Sequence, residues 1–328
     1  PQAETEPTDF FFDFCHESNN LYPRFAAELV DETGVDIELD RTGTLYLAFT
    51  DEDVKEINRR FVRQKGVGLP VERLTAEEIR RAEPFVSPDV REGLFFPHDW
   101  QVENRRLLAA LEKFAALNEI KIVENAEVKN LIVEKNRIIA AETANEKFSA
   151  DIFALAAGAW SSLVRFGGFD LPLQPEVKPI RGQMLGFCAV RRFFRHVIYS
   201  PRGYLVPRLD GRILAGATVE DAGFDKSVTP EAIDFLRARA FEIAPSLANL
   251  EINEKWAGLR PFAAGDWPII GAMPGAENLC AATGHYRNGA LLAPLTADAV
   301  ADLVLAAASR APLPDPAFIE RRSRGLPT

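Results

Sequence analysis

The chain has 328 residues, of which 47% are hydrophobic, and its 38 basic and 48 acidic side chains give a formal net charge of −10. That length accommodates two domains or one large composite domain, and the apolar content fits a folded core rather than a disordered chain. The acidic balance argues against a nucleic-acid binder, which needs a basic surface to meet phosphates. No apolar run reads as long enough to span a membrane, and the polar start PQAETEPTD does not resemble a signal peptide. Three widely spaced cysteines, Cys15, Cys188 and Cys280, suit a reducing cytoplasm and make no metal or disulfide pattern; each reads as a small buried apolar residue.

In chain order, Asp9 to Thr33 reads as a helix capped by Asp9, with Phe10, Phe14, Leu21, Phe25 and Leu29 mostly at helical spacing. Gly43 to Phe49 reads as a strand, and a charged helix follows from Asp51 to about Gln64. Thr75-Ala76-Glu77-Glu78 is a capping box that opens another helix, and Glu103 to about Leu117 is a longer amphipathic one. From Lys121 the pattern turns to strands: KIVE, AEVKNLIVE, RIIAAET, KFSA and DIFALAAGAW, with tight turns at Lys135-Asn136 and Asn145-Glu146. The last strand is almost wholly apolar, as expected of a parallel strand covered on both faces. It ends in Ala157-Gly158-Ala159-Trp160-Ser161, where a glycine lets backbone approach a ligand at the carboxyl end of a strand; the alternative is a plain strand-to-helix turn.

Leu171 to Trp256 is mostly strand-like: Ile180–Val190, Val197–Tyr199, Tyr204–Pro207, Ile213–Thr218 and Glu251–Trp256. One helix, opened by Thr229-Pro230-Glu231, interrupts them and ends before Pro245. A last helix runs from about Thr296, and the Pro-rich APLPDP near Ala311 reads as a surface tail.

The segment WAGLRPFAAGDWPIIGAMPGAENLCAATGHYRNGALLAP, Trp256 to Pro294, sets two arginines among glycine, proline and apolar residues. Arg260 and Arg287 are thus expected to be buried, and buried arginine needs an anion. A guanidinium fork fits a carboxylate bidentately, so two of them point to a small carboxylic acid as ligand; the alternative for each is an ion pair with a structural Asp or Glu.

This segment resembles the C-terminal signature of the D-amino-acid oxidase superfamily of FAD-dependent oxidoreductases, and within it the glycine oxidases of thiamine biosynthesis. The matching pieces are Gly258–Pro261 (GLRP), Pro268–Gly271 (PIIG) and Gly284–Pro294 (GHYRNGALLAP), with weaker similarity along nearly the whole chain. The resemblance implies a mixed α/β fold. One part is a Rossmann-like FAD domain with a three-stranded β-meander, made of residues 1–40, 101–170 and 258–328. The other is an antiparallel-sheet substrate domain, made of 41–100 and 171–257. It implies non-covalent FAD, since Cys188 and Cys280 lack the setting of a flavin-linking cysteine, and a small amino-acid substrate. By the same resemblance Arg260 binds the substrate carboxylate, Arg287 is a second active-site arginine, and Tyr204 in GYLVPR contacts the carboxylate; without the resemblance Tyr204 reads equally as a half-buried sheet aromatic. Val128 matches a position whose backbone contacts adenine, Gly158 and Trp160 flank the pyrophosphate, and Asn288, Gly289, Ala290 and Leu291 supply backbone N–H groups to the flavin. His285 either tunes that site or merely packs. Arg202 stands where relatives can carry a histidine. Homo-oligomers are common in the family, but no interface is legible.

One family feature is not found: strand, G-x-G-x-x-G, helix, acidic residue. Lys65-Gly66-Val67-Gly68 lacks both the third glycine and a preceding strand. The unit is lost from this chain, supplied by another polypeptide, or absent from a variant that no longer binds FAD. The reading is therefore FAD-dependent oxidation of glycine or another small amino acid for thiazole formation. The alternatives are a D-amino-acid or sarcosine-type oxidase or dehydrogenase, and a flavin-free remnant or half of a split enzyme.

Overall fold

The computed structural model describes residues 2–5, 10–167, 169–170, 175–265 and 267–308; the expected APLPDP tail lies outside them. Helix α1 (Phe10–Thr33) is followed by β1 (Thr44–Ala48), α2 (Asp51–Gly66), β2 (Glu72–Thr75), α3 (Ala76–Ala82), β3 (Glu92–Phe96) and α4 (Asn104–Leu117). Then come β4 (Asn130–Glu134), β5 (Arg137–Glu142), β6 (Lys147–Phe148), β7 (Phe153–Leu155), β8 (Arg165–Phe166) and β9 (Phe169–Asp170). The second half carries β10 (Val177–Cys188), β11 (Val197–Ser200), β12 (Gly203–Pro207), β13 (Arg212–Gly216), α5 (Pro230–Ile243), β14 (Glu251–Ala263), β15 (Ile269–Ala272), β16 (Leu279–Thr283) and α6 (Gly289–Ala308).

Three sheets organise these elements. The largest has eight strands in the order β14-β10-β13-β12-β11-β1-β3-β2, antiparallel throughout except for the parallel β1–β11 pair. Its inner face, with Leu185, Phe187, Ile198, Leu205 and Ile213, packs on Ile233, Leu236, Ala240 and Ile243 of α5. Alternation of these apolar positions along the strands is the period-2 pattern of a sheet with one covered face. The meander β4-β5-β6 joins β8 and β9 in a second sheet, and β15-β16-β7 forms the third, with β7 parallel to β16. The β4–β5 turn uses Lys135 and Asn136 in the left-handed region, at φ 47° and 61°, as a two-residue hairpin requires.

Helix boundaries follow local chemistry. Thr50 with Asp53 and Thr75 with Glu78 both close capping boxes, and Thr229 caps α5 with Pro230 in its first turn. In α6, Pro294 has no N–H for the carbonyl of Ala290. The Tyr22 hydroxyl of α1 donates to that carbonyl instead, and Ser18 Oγ donates to the Leu291 carbonyl at 2.7 Å. Burial pushes the Tyr22 pKa up to about 12, so it remains a donor. Leu292, Leu295, Ala299 and Leu303 of α6 are buried beside Phe11, Phe14 and Cys15 of α1.

Several expectations need correction. Lys121–Glu124 is not a strand, and the following strand begins only at Asn130; Ile120, Ile122 and Val123 are exposed, and an isolated extended segment without a ladder partner is not stable. Strand β7 is parallel, but Ala154 is exposed, so it is covered on one face only. Strands β2 and β3 were not legible in the sequence. Cys188 is exposed, unlike Cys15 and Cys280. Gly289–Ala307 is long and apolar enough to cross a membrane by length and composition, contrary to the expectation of no such run.

Tyr22→Phe should leave the Ala290 carbonyl unsatisfied and cost about 1–3 kcal/mol in denaturant unfolding. An unchanged midpoint would show that water replaces the hydroxyl.

Candidate active site

The long pair β10–β14 fixes the centre of the site. Its register sets Ile180 opposite Arg260 and Gly182 opposite Gly258. Because side chains alternate across a strand, Gly182 shares a face with Arg260, and Arg181 and Gln183 share the other. The guanidinium lies against Gly182: a Cβ there would collide with Arg260 Nη1 and Cζ. Arg260 Nη1 donates to the Thr218 carbonyl at 3.0 Å. Arg260 is half-buried and has no carboxylate partner among the described residues.

The opposite face holds that loop in place. Arg181 pairs with Glu220 at 2.6 Å and with Asp225 at 2.5 Å, and Gln183 Nε2 donates to Glu220 at 2.9 Å. The Thr218 hydroxyl donates to Glu220 and accepts from the Gln183 N–H at 2.8 Å. Burial alone would raise the Glu220 carboxyl, but bonds from Thr218, Arg181 and Gln183 outweigh it and hold it below the usual carboxylate range.

Tyr204 is the last of three stacked tyrosines. Tyr46, Tyr199 and Tyr204 sit at paired positions of β1, β11 and β12, with centroid spacings of 5.5 Å and 6.0 Å. Gly216 lies opposite Tyr204, and a Cβ there would meet its hydroxyl at 2.7 Å. Burial raises the Tyr204 pKa against the opposing charge of Arg260, so the hydroxyl stays protonated and able to donate.

Arg287 reaches the same space by another route. Tyr286, in the left-handed region at φ 48°, donates its N–H to the Pro261 carbonyl at 2.8 Å, and its ring packs edge-on to Phe262. That bond ties the HYRNG turn to the end of GLRP. The Arg287 guanidinium meets Glu4 at 2.8 Å and the Tyr199 hydroxyl at 3.0 Å. Burial opposes its charge, but Glu4 and Tyr199 outweigh that and raise its pKa. Arg260, Tyr204 and Arg287 all line one cavity of about 550 Å³, with Tyr46, Tyr199, Arg202 and Glu4. Arg202 is turned to Glu242 at 2.9 Å and stacks 4.4 Å over Phe49.

The expected pattern is therefore split. Arg287 is a partly exposed residue in an ion pair, the alternative reading of the sequence, whereas Arg260 has no carboxylate partner among the described residues. Tyr46, Tyr199 and Glu4 were not legible as site residues: a strand tyrosine looks the same whether it faces core or cavity, and Glu4 precedes the first helix.

The other expected residues gather at two places. Val128 and Trp160 line a second cavity of about 540 Å³ with Phe153, Ala156, Ala157 and Leu163. Gly158 begins the 3-10 turn beside it at φ 54°, and nothing stands within 4 Å of a Cβ placed on it. Its carbonyl accepts from Thr283 Oγ1 at 3.1 Å, which holds the carboxyl ends of β7 and β16 side by side. Asn288 precedes α6, and the Gly289, Ala290 and Leu291 amides form its first turn, where no earlier helical carbonyl is available to them. His285 bonds Thr296 Oγ1 at 3.0 Å and is pushed down to about 4 by burial, so it is neutral at pH 7.

A family model described as FAD dependent oxidoreductase (DAO) matches residues 1–303. The chain belongs to this family. It is 34% identical to a glycine oxidase of Pseudomonas putida over 92% of this chain and 80% of that protein. It is 32% identical to the bifunctional protein ThiO/ThiG of Trichormus variabilis over 93% of this chain and 46% of that protein. A crystal structure of glycine oxidase from Geobacillus kaustophilus superposes with a TM-score of 0.86 at 32% identity, over 92% of this chain and 81% of that one. The mixed α/β fold is that of these oxidoreductases, and the redox chemistry of the family is that of FAD.

Two outcomes follow from the geometry. Gly182→Ala should displace the Arg260 guanidinium and weaken acetate binding about tenfold or more, a loss near 1.4 kcal/mol, with little change in melting temperature; unchanged binding would show that the side chain finds an equivalent seat. For His285, whose folded pKa lies below the usual 6.5, protonation favours the unfolded state. Stability should fall as the pH drops from 6.5 to about 4 and level off below that. His285→Gln should flatten that part of the stability profile relative to the parent.

Proposed function

We propose that this protein is an FAD-dependent oxidase of glycine or a similarly small amino acid, yielding the imine, then glyoxylate and ammonia, with hydrogen peroxide. The observation that carries this reading is Arg260: a half-buried guanidinium without a carboxylate partner among the described residues, lining a cavity that also presents a protonated Tyr204. A ligand carboxylate would satisfy both, the arginine as a fork and the tyrosine as a single donor. The names of the glycine oxidase relatives support the same substrate class, and the ThiO/ThiG relative supports a role in supplying thiazole formation.

In this reading Arg260 and Tyr204 fix the carboxylate, and fixing it orients the α-carbon, which converts binding into near-attack geometry. The stacked ring of Tyr199 keeps Tyr204 from turning, and Gly182 and Gly216 leave room for the two groups to sit flat on the sheet. His285, neutral and bonded to Thr296, adds no charge near the α6 N-terminus. FAD, when bound, supplies the acceptor for the hydride from the α-carbon. The residues present suit it. The open space over Gly158 leaves room for a phosphate, Val128 and Trp160 border an apolar cavity for the adenine end, and Asn288 with the first-turn amides of α6 offers the positive end of a helix to a developing negative charge. In this reading residues 41–100 and 171–257 build the substrate sheet and the remainder the cofactor side, while Glu4, Arg260 and Arg287 of the remainder reach across to line the substrate cavity. We read the enzyme as cytoplasmic, in keeping with three unbridged cysteines.

Arg260→Ala should raise KM for glycine by about 30-fold or more, since truncating one partner of such a charge pair costs about 2–5 kcal/mol. Tyr204→Phe should raise it by about tenfold or more, since a hydrogen bond to a charged group is worth about 1.5–3 kcal/mol. Anaerobic glycine should bleach the flavin absorbance of the holoenzyme. Bleaching by glycine with an unaltered KM in Arg260→Ala would remove Arg260 as the anchor.

A further inference from the structure

The charges around the substrate cavity are matched one by one, with a single exception. Four arginines line it. Arg60 meets Glu56 at 2.6 Å, Arg202 meets Glu242 at 2.9 Å, and Arg287 meets Glu4 at 2.8 Å. Arg260 has no carboxylate partner among the described residues, only the Thr218 carbonyl and the Tyr204 hydroxyl beside it. Of the four matching carboxylates and carbonyls, only Glu4 itself lines the cavity, and it is the one acidic side chain among the described lining residues. Glu56 and Glu242 neutralise their arginines from outside. Arg287 is therefore neutralised from within the space a ligand would enter.

Glu4 is held there by its neighbours. The Gln2 and Ala3 N–H groups donate to the two oxygens of the buried Asp99 at 2.8 Å and 2.7 Å. The Gln2 side chain donates to Gln64 at 2.8 Å, and Arg60 donates to the Ala3 carbonyl at 2.9 Å. These bonds fix the backbone that presents Glu4, so the carboxylate is a built part of the wall.

We infer that Glu4 is a specificity-determining residue: by occupying Arg287 it limits the cavity to amines carrying one carboxylate and excludes amines carrying two. The inference rests on Arg260 being the carboxylate anchor. With one guanidinium free, the first carboxylate of a ligand is compensated. A second carboxylate near Arg287 meets Glu4 already in place, and like charges in a partly desolvated space repel. Selection thus works by a repulsive element placed beside the attractive one. A dicarboxylic secondary amine such as iminodiacetate is rejected, whereas glycine and N-alkyl glycines are not.

Glutarate and butyrate are matched probes, since glutarate has the chain length of iminodiacetate and neither carries an oxidisable amine. Their binding to the holoenzyme is measured by calorimetry in the parent, in Glu4→Gln, in Glu4→Asp and in Glu4→Gln combined with Arg287→Met. Glu4→Gln should raise the glutarate-to-butyrate affinity ratio at least tenfold, Glu4→Asp should keep the parent ratio, and the added Arg287→Met should abolish the gain. An unchanged ratio in Glu4→Gln, or a gain that survives Arg287→Met, would overturn the inference. The same titration of Arg260→Ala with butyrate separates the two readings. Lost butyrate binding with an unchanged Glu4→Gln ratio rejects only the role of Glu4. Butyrate binding that ignores Arg260→Ala rejects the anchor and this inference with it.

Discussion

The antiparallel pairing of β10 with β14 is the constraint on which the site depends. It places Gly182 diagonally beside Arg260, so the guanidinium lies flat on a strand with no side chain beneath it. On the reverse face the same strand presents Arg181 and Gln183 to Glu220, which locks the loop whose Thr218 carbonyl receives Arg260. One face of the ladder is thus spent on rigidity and the other on a ligand. The single N–H of Tyr286 then joins this ladder to the turn before α6, and so fixes Arg287 relative to Arg260.

Rigidity of this kind matters because a charged group held without a partner is costly. A flexible arginine would turn to a nearby carboxylate or to water. Arg260 finds no carboxylate among the described residues: its neighbours supply one carbonyl and a tyrosine whose own hydroxyl is buried. The remaining valence of the fork is directed into the cavity. The other three arginines of the wall show the ordinary solution, each with its own Glu.

The second half of the molecule follows the same economy at helix ends. Pro294 frees a carbonyl in α6, and Tyr22 and Ser18 of α1 take up the orphaned groups, so α6 keeps its place while its first turn stays unencumbered. The first-turn amides of Gly289, Ala290 and Leu291 lack an earlier helical carbonyl, and the backbone at Gly158 is open, with nothing within 4 Å of a Cβ placed on it.

The sequence by itself determined the elements whose signals are local. Capping boxes at Thr75 and the Thr229-Pro230 start, the Lys135-Asn136 turn and the alternating strands around Tyr204 are encoded within a few residues each, and the GLRP and HYRNG segments marked Arg260 and Arg287 by their improbable surroundings. Tertiary structure decided what depends on partners far along the chain. Lys121–Glu124 has the composition of a strand but no ladder to join; β2 and β3 look unremarkable but find one. Whether an arginine is paired could not be read locally either, because Glu4 and Arg287 are separated by nearly the whole chain, and among the described residues no carboxylate is brought to Arg260 by the packed sheet.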